Sequence, residues 1–222
     1  MTEEIKILYE DGDTLVIDKP VGLLSEASDT APSAITALVS HGKDGFLAPI
    51  TRLDREVSGV LLLAKNKKSA AYYTAQMADR EAFQKEYLAV VSGYMDEKSA
   101  TLTDLLFKDS AKNKSYVVTR MRRGVKQAAL SYTVVGECVC EEAPLSLVHI
   151  VLETGRTHQI RVQFSARRHP LVGDRKYGGI STLPMGLLSY RLTFQNTRGK
   201  TLTVTALREN EAPFSFFGDF TL

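Results

Sequence analysis

The amino-acid sequence predicts an α+β fold, in which a few helices flank a mixed and mainly antiparallel sheet. Short apolar segments rich in β-branched and aromatic residues recur along the chain, and turn residues separate them. By contrast, three segments have the composition or the end signals of helices. Strands therefore outnumber helices, and many follow one another closely enough to pair as antiparallel neighbours.

The first half of the chain contains three clear strand signals. Segments ILYE and TLVID form a hairpin around the turn residues 11 to 13. The apolar run VLLLA, residues 60 to 64, is too short for a buried helix and fits an internal strand. Residues 85 to 92 return to strand character.

The second half of the chain is predicted to consist mainly of consecutive strands. Between residues 115 and 152 the segments YVVT, ALSYTVV and LSLVHIVLE are separated by basic or acidic turns. Near the carboxyl end, LLSYRLTF and TLTVTAL form another hairpin, joined through residues 196 to 199.

Three segments are predicted to be helical. Residues 33 to 40 follow Pro32 and precede Gly42, which suits a short helix. Residues 68 to 80 are rich in alanine, which forms helices readily, and several alanines fall near one face. A third helix is expected to begin near Thr157, whose hydroxyl can cap it.

Composition narrows the class of protein. The chain has 222 residues, 44% of them hydrophobic, which is enough for a sizeable core, and we expect one domain, with two lobes as the alternative. It has no apolar run long enough to cross a bilayer and no basic and apolar leader, so we expect a cytoplasmic protein. Because the net charge is only +2, any surface that binds nucleic acid must be confined to a part of the protein where basic residues cluster.

No residue pattern indicates a metal or a cofactor. Cys138 and Cys140 lack the neighbours that would complete a zinc site, so we interpret them as ordinary thiols. The segment GDRKYGG, residues 173 to 179, lacks the setting of a nucleotide-binding loop. We therefore expect chemistry that depends on side chains alone.

The loop TRLDREVSG, residues 51 to 59, is the first candidate for that chemistry. It concentrates charge beside an apolar strand, where charged groups are costly unless they pair or act. Asp54 lies at its centre, between Arg52 and Arg55. From these residues alone, Asp54 is either a functional carboxylate or a structural one that caps the loop or pairs with a neighbouring arginine.

The segment TGRTHQIR, residues 154 to 161, is the second candidate. On a helix His158 and Arg161 are one turn apart and share a face. An arginine brought against Asp54 would hold its carboxylate ionised. His158 is equally consistent with a substrate contact and with a hydrogen-bonding residue at the start of the helix.

Two further features complete the set of candidates. Tyr87 is placed on a strand where it can face a cleft and stack on a base, or pack as a half-buried structural tyrosine. Arg122 and Arg123 belong to the basic segment 120 to 126, which is either a solvated surface or a phosphate-binding one.

Taken together, these segments resemble a known family. TRLDREVSGVLLLAK, KEYLAVVSG and TGRTHQIRVQFSARRHPLVGDRKYGG are similar, in order and spacing, to the motifs of the RluA family of RNA pseudouridine synthases. The opening ILYEDGDTLVIDKPVGLL is also similar to that family's first strand pair, so the resemblance extends from Ile5 to about Tyr190.

The resemblance implies a pseudouridine synthase fold with a central catalytic cleft and a role for each candidate. Asp54 would be the essential carboxylate, and Arg161 would form an ion pair with it. Tyr87 would stack on the uracil and take the proton from its carbon five, and Arg52 would fill the space that the target nucleotide leaves in the RNA. Arg55 and His158 would contact the substrate.

The resemblance also implies RNA, ribosomal or transfer, as the partner, with Arg122 and Arg123 lining the approach to Asp54. We expect a monomer that needs no cofactor or metal and that carries no separate amino-terminal RNA-binding domain. Asp54 acts in such a reaction either as a nucleophile or as a base. An RNA chaperone without turnover and a hydrolase that releases free base are the competing hypotheses.

Two positions depart from the pattern of the family. Thr51 stands where a histidine commonly precedes RLD, and Gln163 stands where a histidine often follows QIRV. Neither is among the residues assigned to the core chemistry, so the departures bear on substrate fit.

Overall fold

The structure, a computed structural model, describes residues 5–43, 45–179, 182–218 and 220. The chain divides into two compact units. The first comprises residues 1–85 and 188–207, and the second comprises residues 86–187 and 208–222. The boundary falls within the strand Phe83–Ser92.

The described residues form eleven strands: β1 Lys6–Glu10, β2 Thr14–Lys19, β3 Ala48–Pro49, β4 Ser58–Ala64, β5 Phe83–Ser92, β6 Ser99–Asp109, β7 Lys114–Val118, β8 Val125–Cys140, β9 Ala143–Leu152, β10 Leu187–Gln195 and β11 Thr201–Thr205. The helices are α1 Ala34–Ser40, α2 Lys67–Gln76, α3 Gln159–Ala166 and a 3₁₀ turn at Phe214–Phe217. Within the described part of the chain, no helix is long and apolar enough to cross a membrane.

The sheet of the first unit is built around β4. β2 and β3 each pair antiparallel with β4, and β10 pairs parallel with it. Beyond these, β1 pairs antiparallel with β2, and β11 pairs antiparallel with β10. Every residue of β4 is buried, as the continuous apolar run predicts. Gly59 adopts a φ of +113°, and a Cβ there would overlap the backbone oxygen of Ser189 on β10. Only glycine therefore allows the two backbones to approach this closely.

Capped helices complete the first unit. The side chain of Ser33 accepts a hydrogen bond from the backbone of Thr36, and the Thr36 hydroxyl accepts one from the backbone of Ser33, which forms a capping box at α1. Asn66 caps α2. Tyr73 of α2 is fully buried and packs edge-on against Phe194, so this helix closes the core of the unit.

The second unit contains a sheet in the order β5, β9, β8, β6, β7. Its pairs β8–β9, β6–β8 and β6–β7 are all antiparallel. Helix α3 packs its apolar residues inward: Ile160, Val162 and Phe164 are at most 5% exposed. A buried apolar cluster joins Val162 to Leu106 of β6 and to Tyr177, so α3 is fixed against the sheet.

The predicted fold class is confirmed, as are the two terminal hairpins and the strands at 60–64, 85–92 and 115–152. Two strands, the short β3 and the long β6, were not predicted. The helix expected over 68–80 ends at Gln76, and its buried residues are Ser69 and Tyr73 rather than alanines.

The predicted cap of α3 is wrong by one residue. His158, not Thr157, occupies the N-cap position, with a left-handed backbone (φ 52°, ψ 27°) and no side-chain capping bond. The Thr157 carbonyl accepts a hydrogen bond from the Ser115 hydroxyl on β7, which ties the segment before α3 to that strand.

Candidate active site

Asp54 occupies a tight turn at the entrance to β4 in the first unit. Its carbonyl accepts a hydrogen bond from the Val57 amide at 3.1 Å, and its side chain is half-buried. Leu53 and Val57, on either side, are 8% and 2% exposed. The turn is therefore anchored by two buried apolar side chains, while the carboxylate between them keeps access to solvent.

The loop that follows β2 holds this turn from the other side. The Ser25 hydroxyl donates to the Leu53 carbonyl and accepts from the Leu53 amide, both at 2.9 Å. The Gly22 amide donates to the Arg55 carbonyl at 2.8 Å, and Arg55 Nε donates to the Gly22 carbonyl at 2.9 Å. Two reciprocal pairs of hydrogen bonds thus fix the backbone on both sides of Asp54.

A buried lysine lies near Asp54 in the same unit. Lys19 is 0% exposed, and its Nζ donates to the carbonyls of Pro20 and Leu23, each at 2.9 Å. Burial lowers the pKa of Lys19 to about 8, and the nearby carboxylates of Asp54 and Asp18 oppose that shift. The fold therefore places a rigid cation beside the Asp54 carboxylate.

The sequence reasoning missed Lys19, although a signal was present. Leu15, Ile17 and Lys19 alternate along β2 and point to one face of the sheet, and the first two are fully buried. A lysine on such a face is buried as well, which is unusual for this residue type and indicates a structural or catalytic partner.

Arg52, by contrast, projects into solvent. Its side chain is 67% exposed, and its Nη1 lies 3.5 Å from the Glu26 carboxylate, which is 62% exposed. A pair this exposed contributes at most about 1 kcal/mol. An incoming phosphate or base can therefore displace Glu26 at little cost.

Tyr87 lies on β5, in the second unit, and is 7% exposed. Leu88, Ala89 and Val90 are also buried, so the predicted alternation between an open and a covered face is absent from the burial pattern. The neighbouring Glu86 carboxylate lies 2.8 Å from His149 Nε2 on β9. Tyr87 is therefore part of a strand covered on both faces, which restricts the motion of its ring.

Arg161 projects from α3 and is 2% exposed. Its Nε and Nη2 donate to the two carboxylate oxygens of Asp174, at 2.7 and 2.8 Å. Asp174 is fully buried and also accepts from the amides of Lys176 and Tyr177. This planar two-point contact sets the orientation of the guanidinium.

Sequence reasoning missed Asp174 because GDRKYGG was examined only as a nucleotide loop. The glycines have a different use here. Gly173 adopts a φ of +75°, and a Cβ there would overlap the backbone of Pro184. The Gly179 amide closes the loop on the Asp174 carbonyl at 2.9 Å, so the loop is built to hold a buried carboxylate.

His158 and Arg161 meet at Tyr177, although His158 precedes the helix and does not share its face. His158 Nδ1 lies 3.0 Å from the Tyr177 hydroxyl, and the Arg161 guanidinium carbon lies 5.3 Å from the Tyr177 ring centroid. The same hydroxyl accepts from the Ser115 amide at 2.8 Å. Tyr177 therefore couples both predicted site residues of this unit to β7.

The basic segment forms the turn between β7 and β8. Arg122 and Arg123 are exposed, and the guanidinium of Arg122 lies 5.1 Å from the Phe107 ring centroid. The Arg122 carbonyl accepts from the Val125 amide at 3.0 Å. The turn is therefore ordered, and it presents its cations to solvent.

Over the described residues, no group of three or more histidine, cysteine, aspartate or glutamate side chains could hold a metal ion.

Comparison with known proteins identifies the class of fold. The human protein named RNA Pseudouridylate Synthase Domain Containing 1 superposes with a TM-score of 0.81 at 24% identity, over 98% of this chain and 89% of the human one. At that identity the similarity shows the fold alone, which is that of the pseudouridylate synthases.

Sequence comparison then gives the family. Residues 13–166 match the family model described as RNA pseudouridylate synthase, and the chain belongs to that family. The resemblance drawn from the motifs is thereby confirmed.

Three relatives show the extent of the match. An uncharacterized RNA pseudouridine synthase of Aquifex aeolicus is 34% identical over 83% of this chain and 60% of its own length. A ribosomal large subunit pseudouridine synthase C of Buchnera aphidicola is 31% identical over 78% and 54%. A tRNA pseudouridine synthase C of Haemophilus ducreyi is 32% identical over 80% and 75%. The chain thus spans about 60% of the length of the first relatives it matches.

Proposed function

We propose that this protein is an RNA pseudouridine synthase, which isomerises specific uridines of structured RNA to pseudouridine with Asp54 as the essential residue. The observation that carries the proposal is the construction around Asp54. A half-buried carboxylate lies on a turn fixed by two reciprocal pairs of hydrogen bonds, beside a fully buried lysine. Family membership supplies the type of reaction.

The reaction exchanges one bond for another within the nucleotide. The bond between uracil N1 and ribose C1′ breaks, the uracil turns in place, and C5 bonds to C1′. The proton on C5 leaves, and N1 gains one. Because the reaction is an isomerisation, the proposal includes no cofactor and no metal.

Asp54 can serve this reaction as a nucleophile or as a base on the ribose, and both roles need an ionised carboxylate. Lys19 supplies one cation near this carboxylate, and the charge of Asp54 in turn raises the pKa of Lys19 against the effect of burial. In the proposal, Arg161 supplies a second cation to Asp54 while Asp174 fixes its orientation.

The other site residues act on the substrate in this proposal. The target uridine leaves the RNA stack, Tyr87 stacks on its uracil and takes the proton from C5, and Arg52 fills the vacated space. The burial of Tyr87 supports this role, since a restrained ring holds a detached base in one orientation. Arg55, His158, Arg122 and Arg123 would contact the RNA.

The substrate is proposed to be ribosomal or transfer RNA. The relatives from Buchnera aphidicola and Haemophilus ducreyi are named for these two classes and support both. We further propose that the protein is cytoplasmic and acts as a monomer.

Product analysis tests the proposal. Total RNA from a strain that lacks the gene is incubated with the wild-type protein, digested to nucleosides and separated, and the small-molecule fraction is assayed for uracil. The proposal predicts more pseudouridine than in the same RNA incubated without the protein, and no free uracil. Free uracil would indicate a glycosidic hydrolase, and RNA binding without either product would indicate a chaperone; both results contradict the proposal.

A further inference from the structure

The second unit contains a pocket outside the proposed catalytic residues. It has a volume of about 470 Å³, within the range of roughly 300 to 1,000 Å³ typical of small-molecule sites. Strand β7, helix α3 and the loop 173–179 each supply part of its lining. We call it the Lys114–Lys176 pocket, after the two lysines that line it.

The wall of the pocket is apolar and aromatic. Val117, Val162 and Ala166 line it, together with Tyr116 and Tyr177. Tyr116 is half-buried, and its ring centroid lies 5.8 Å from the Lys114 ammonium at this pocket. A planar ring beside aliphatic side chains is suited to the face of a nucleic-acid base.

Two ammonium groups lie at this pocket. Lys114 Nζ donates to the Lys176 carbonyl at 2.7 Å, and Lys176 Nζ donates to the Asn113 carbonyl at 3.0 Å. Lys114 Nζ also lies 4.9 Å from the Tyr177 ring centroid and 5.8 Å from that of Tyr116. Each lysine is thus held in place by a single hydrogen bond, which leaves two of the three donors of each ammonium for another group.

The charge of this pocket is not neutralised by the protein. Within the described ranges, neither Lys114 nor Lys176 has a carboxylate within ion-pair distance. The two serine hydroxyls at the pocket are used internally, since Ser115 donates to Thr157 and Ser165 donates to Tyr177. The donors available to a ligand are therefore cationic, which favours an anion.

We propose that the Lys114–Lys176 pocket binds one nucleotide of the RNA other than the reacting uridine. The phosphate lies on the two ammonium groups, and the base packs against Tyr116. This inference rests on the proposed function, because RNA, the proposed substrate, combines a phosphate with a planar base. Tyr177, which borders the pocket, also contacts Arg161 and His158, so the bound nucleotide sets the register of the RNA against those two residues.

The test measures binding of a labelled RNA stem-loop substrate to the full chain over a range of salt concentrations. The Lys114→Ala/Lys176→Ala variant is expected to bind about ten-fold more weakly, and the slope of log K against log salt should fall by about 1 to 2. The value of kcat/KM for tritium release should fall together with the affinity. The control is Lys67→Ala/Lys68→Ala, which removes two exposed lysines of α2, and it should bind like the wild type.

A second pair of variants tests the base contact. Tyr116→Leu is expected to lose about five-fold or more in affinity, and Tyr116→Phe should retain it, because stacking needs the ring and not the hydroxyl. Equal binding by wild type and both the lysine variant and Tyr116→Leu would overturn the proposal. The proposal would also be overturned if an acidic peptide bound as tightly as RNA and if its binding depended equally on the two lysines. Failure of the wild type itself to bind RNA would instead refute the proposed function.

Discussion

The guanidinium of Arg161 and the carboxylate of Asp174 form a fully buried two-point ion pair, with N–O distances of 2.7 and 2.8 Å. Two backbone amides of the same loop complete the shell of Asp174. Arg161 thus has a two-point carboxylate partner within its own unit, and that contact fixes the plane of its guanidinium.

Asp174→Asn should be strongly destabilising. Removing one charge leaves the Arg161 guanidinium buried with an incomplete partner, which costs about 3 to 5 kcal/mol of unfolding free energy. Denaturant unfolding measures the loss. Glu137→Gln is the matched control, because its ion pair with Lys98 is exposed and should contribute at most about 1 kcal/mol. Equal stability of the two variants would contradict the account of Arg161.

Lys19 should produce an alkaline limb in the pH profile. With a pKa of about 8, Lys19 loses its proton as the pH rises through that value, and the cation beside Asp54 disappears. We expect kcat/KM for tritium release to fall above about pH 8. Lys19→Arg, if it folds, should move this limb to higher pH, since arginine stays charged.

The free energy of unfolding, unlike kcat/KM, should gain from Lys19 as the pH rises above about 8. The folded-state pKa of Lys19 lies below its ordinary value of 10.5, so the unfolded chain binds more protons between about pH 8 and pH 10.5. The contribution of Lys19 to folding stability therefore rises across this window. A fall in activity that coincides with unfolding, or a limb that is unchanged in Lys19→Arg, would refute the assignment.

Ser25→Ala tests the loop that holds the Asp54 turn. The substitution removes both hydrogen bonds to Leu53 and leaves two buried backbone groups without that partner, at a cost of about 1 to 3 kcal/mol. We expect kcat to fall while RNA affinity stays constant. Ser28→Ala is the control, because its hydroxyl bonds only to the exposed Thr30. A normal kcat for Ser25→Ala would show that the turn is held by other contacts.

Reversing the charges of the β7–β8 turn should weaken RNA binding. Arg122→Glu/Arg123→Glu is expected to reduce the slope of log K against log salt by about 1 to 2, and circular dichroism should show an intact fold. Lys67→Glu/Lys68→Glu introduces the same change of charge on α2 and serves as the control. Unchanged binding at moderate salt would remove Arg122 and Arg123 from the RNA surface.

The sequence predicted most of the fold because apolar alternation and turn residues mark strands directly. Its failures have local causes. β6 was missed because its only two buried residues, Leu102 and Leu106, are four apart, and the apolar Leu105 and Phe107 interrupt a regular alternation. Thr157 was expected to cap α3, but His158 takes that position in a left-handed conformation that no local pattern reveals.

The candidate site was predicted through its motifs, and what escaped prediction was the support around them. The burial of Asp174 depends on how its loop packs, which no local pattern shows, whereas the alternation along β2 could have indicated the burial of Lys19. The roles of Tyr87 and Arg161 toward Asp54 stay predictions, which the variants Tyr87→Phe and Arg161→Lys can test.

The central claim is that Asp54 is required for pseudouridine formation, and tritium release from RNA labelled at C5 of uracil measures this most directly. Wild type, Asp54→Asn and Asp29→Asn, which changes an exposed carboxylate of the same unit, are compared on total RNA from a strain that lacks the gene. We predict release by wild type and Asp29→Asn and none by Asp54→Asn, with RNA binding retained in all three. Release by Asp54→Asn at the wild-type rate would contradict the account.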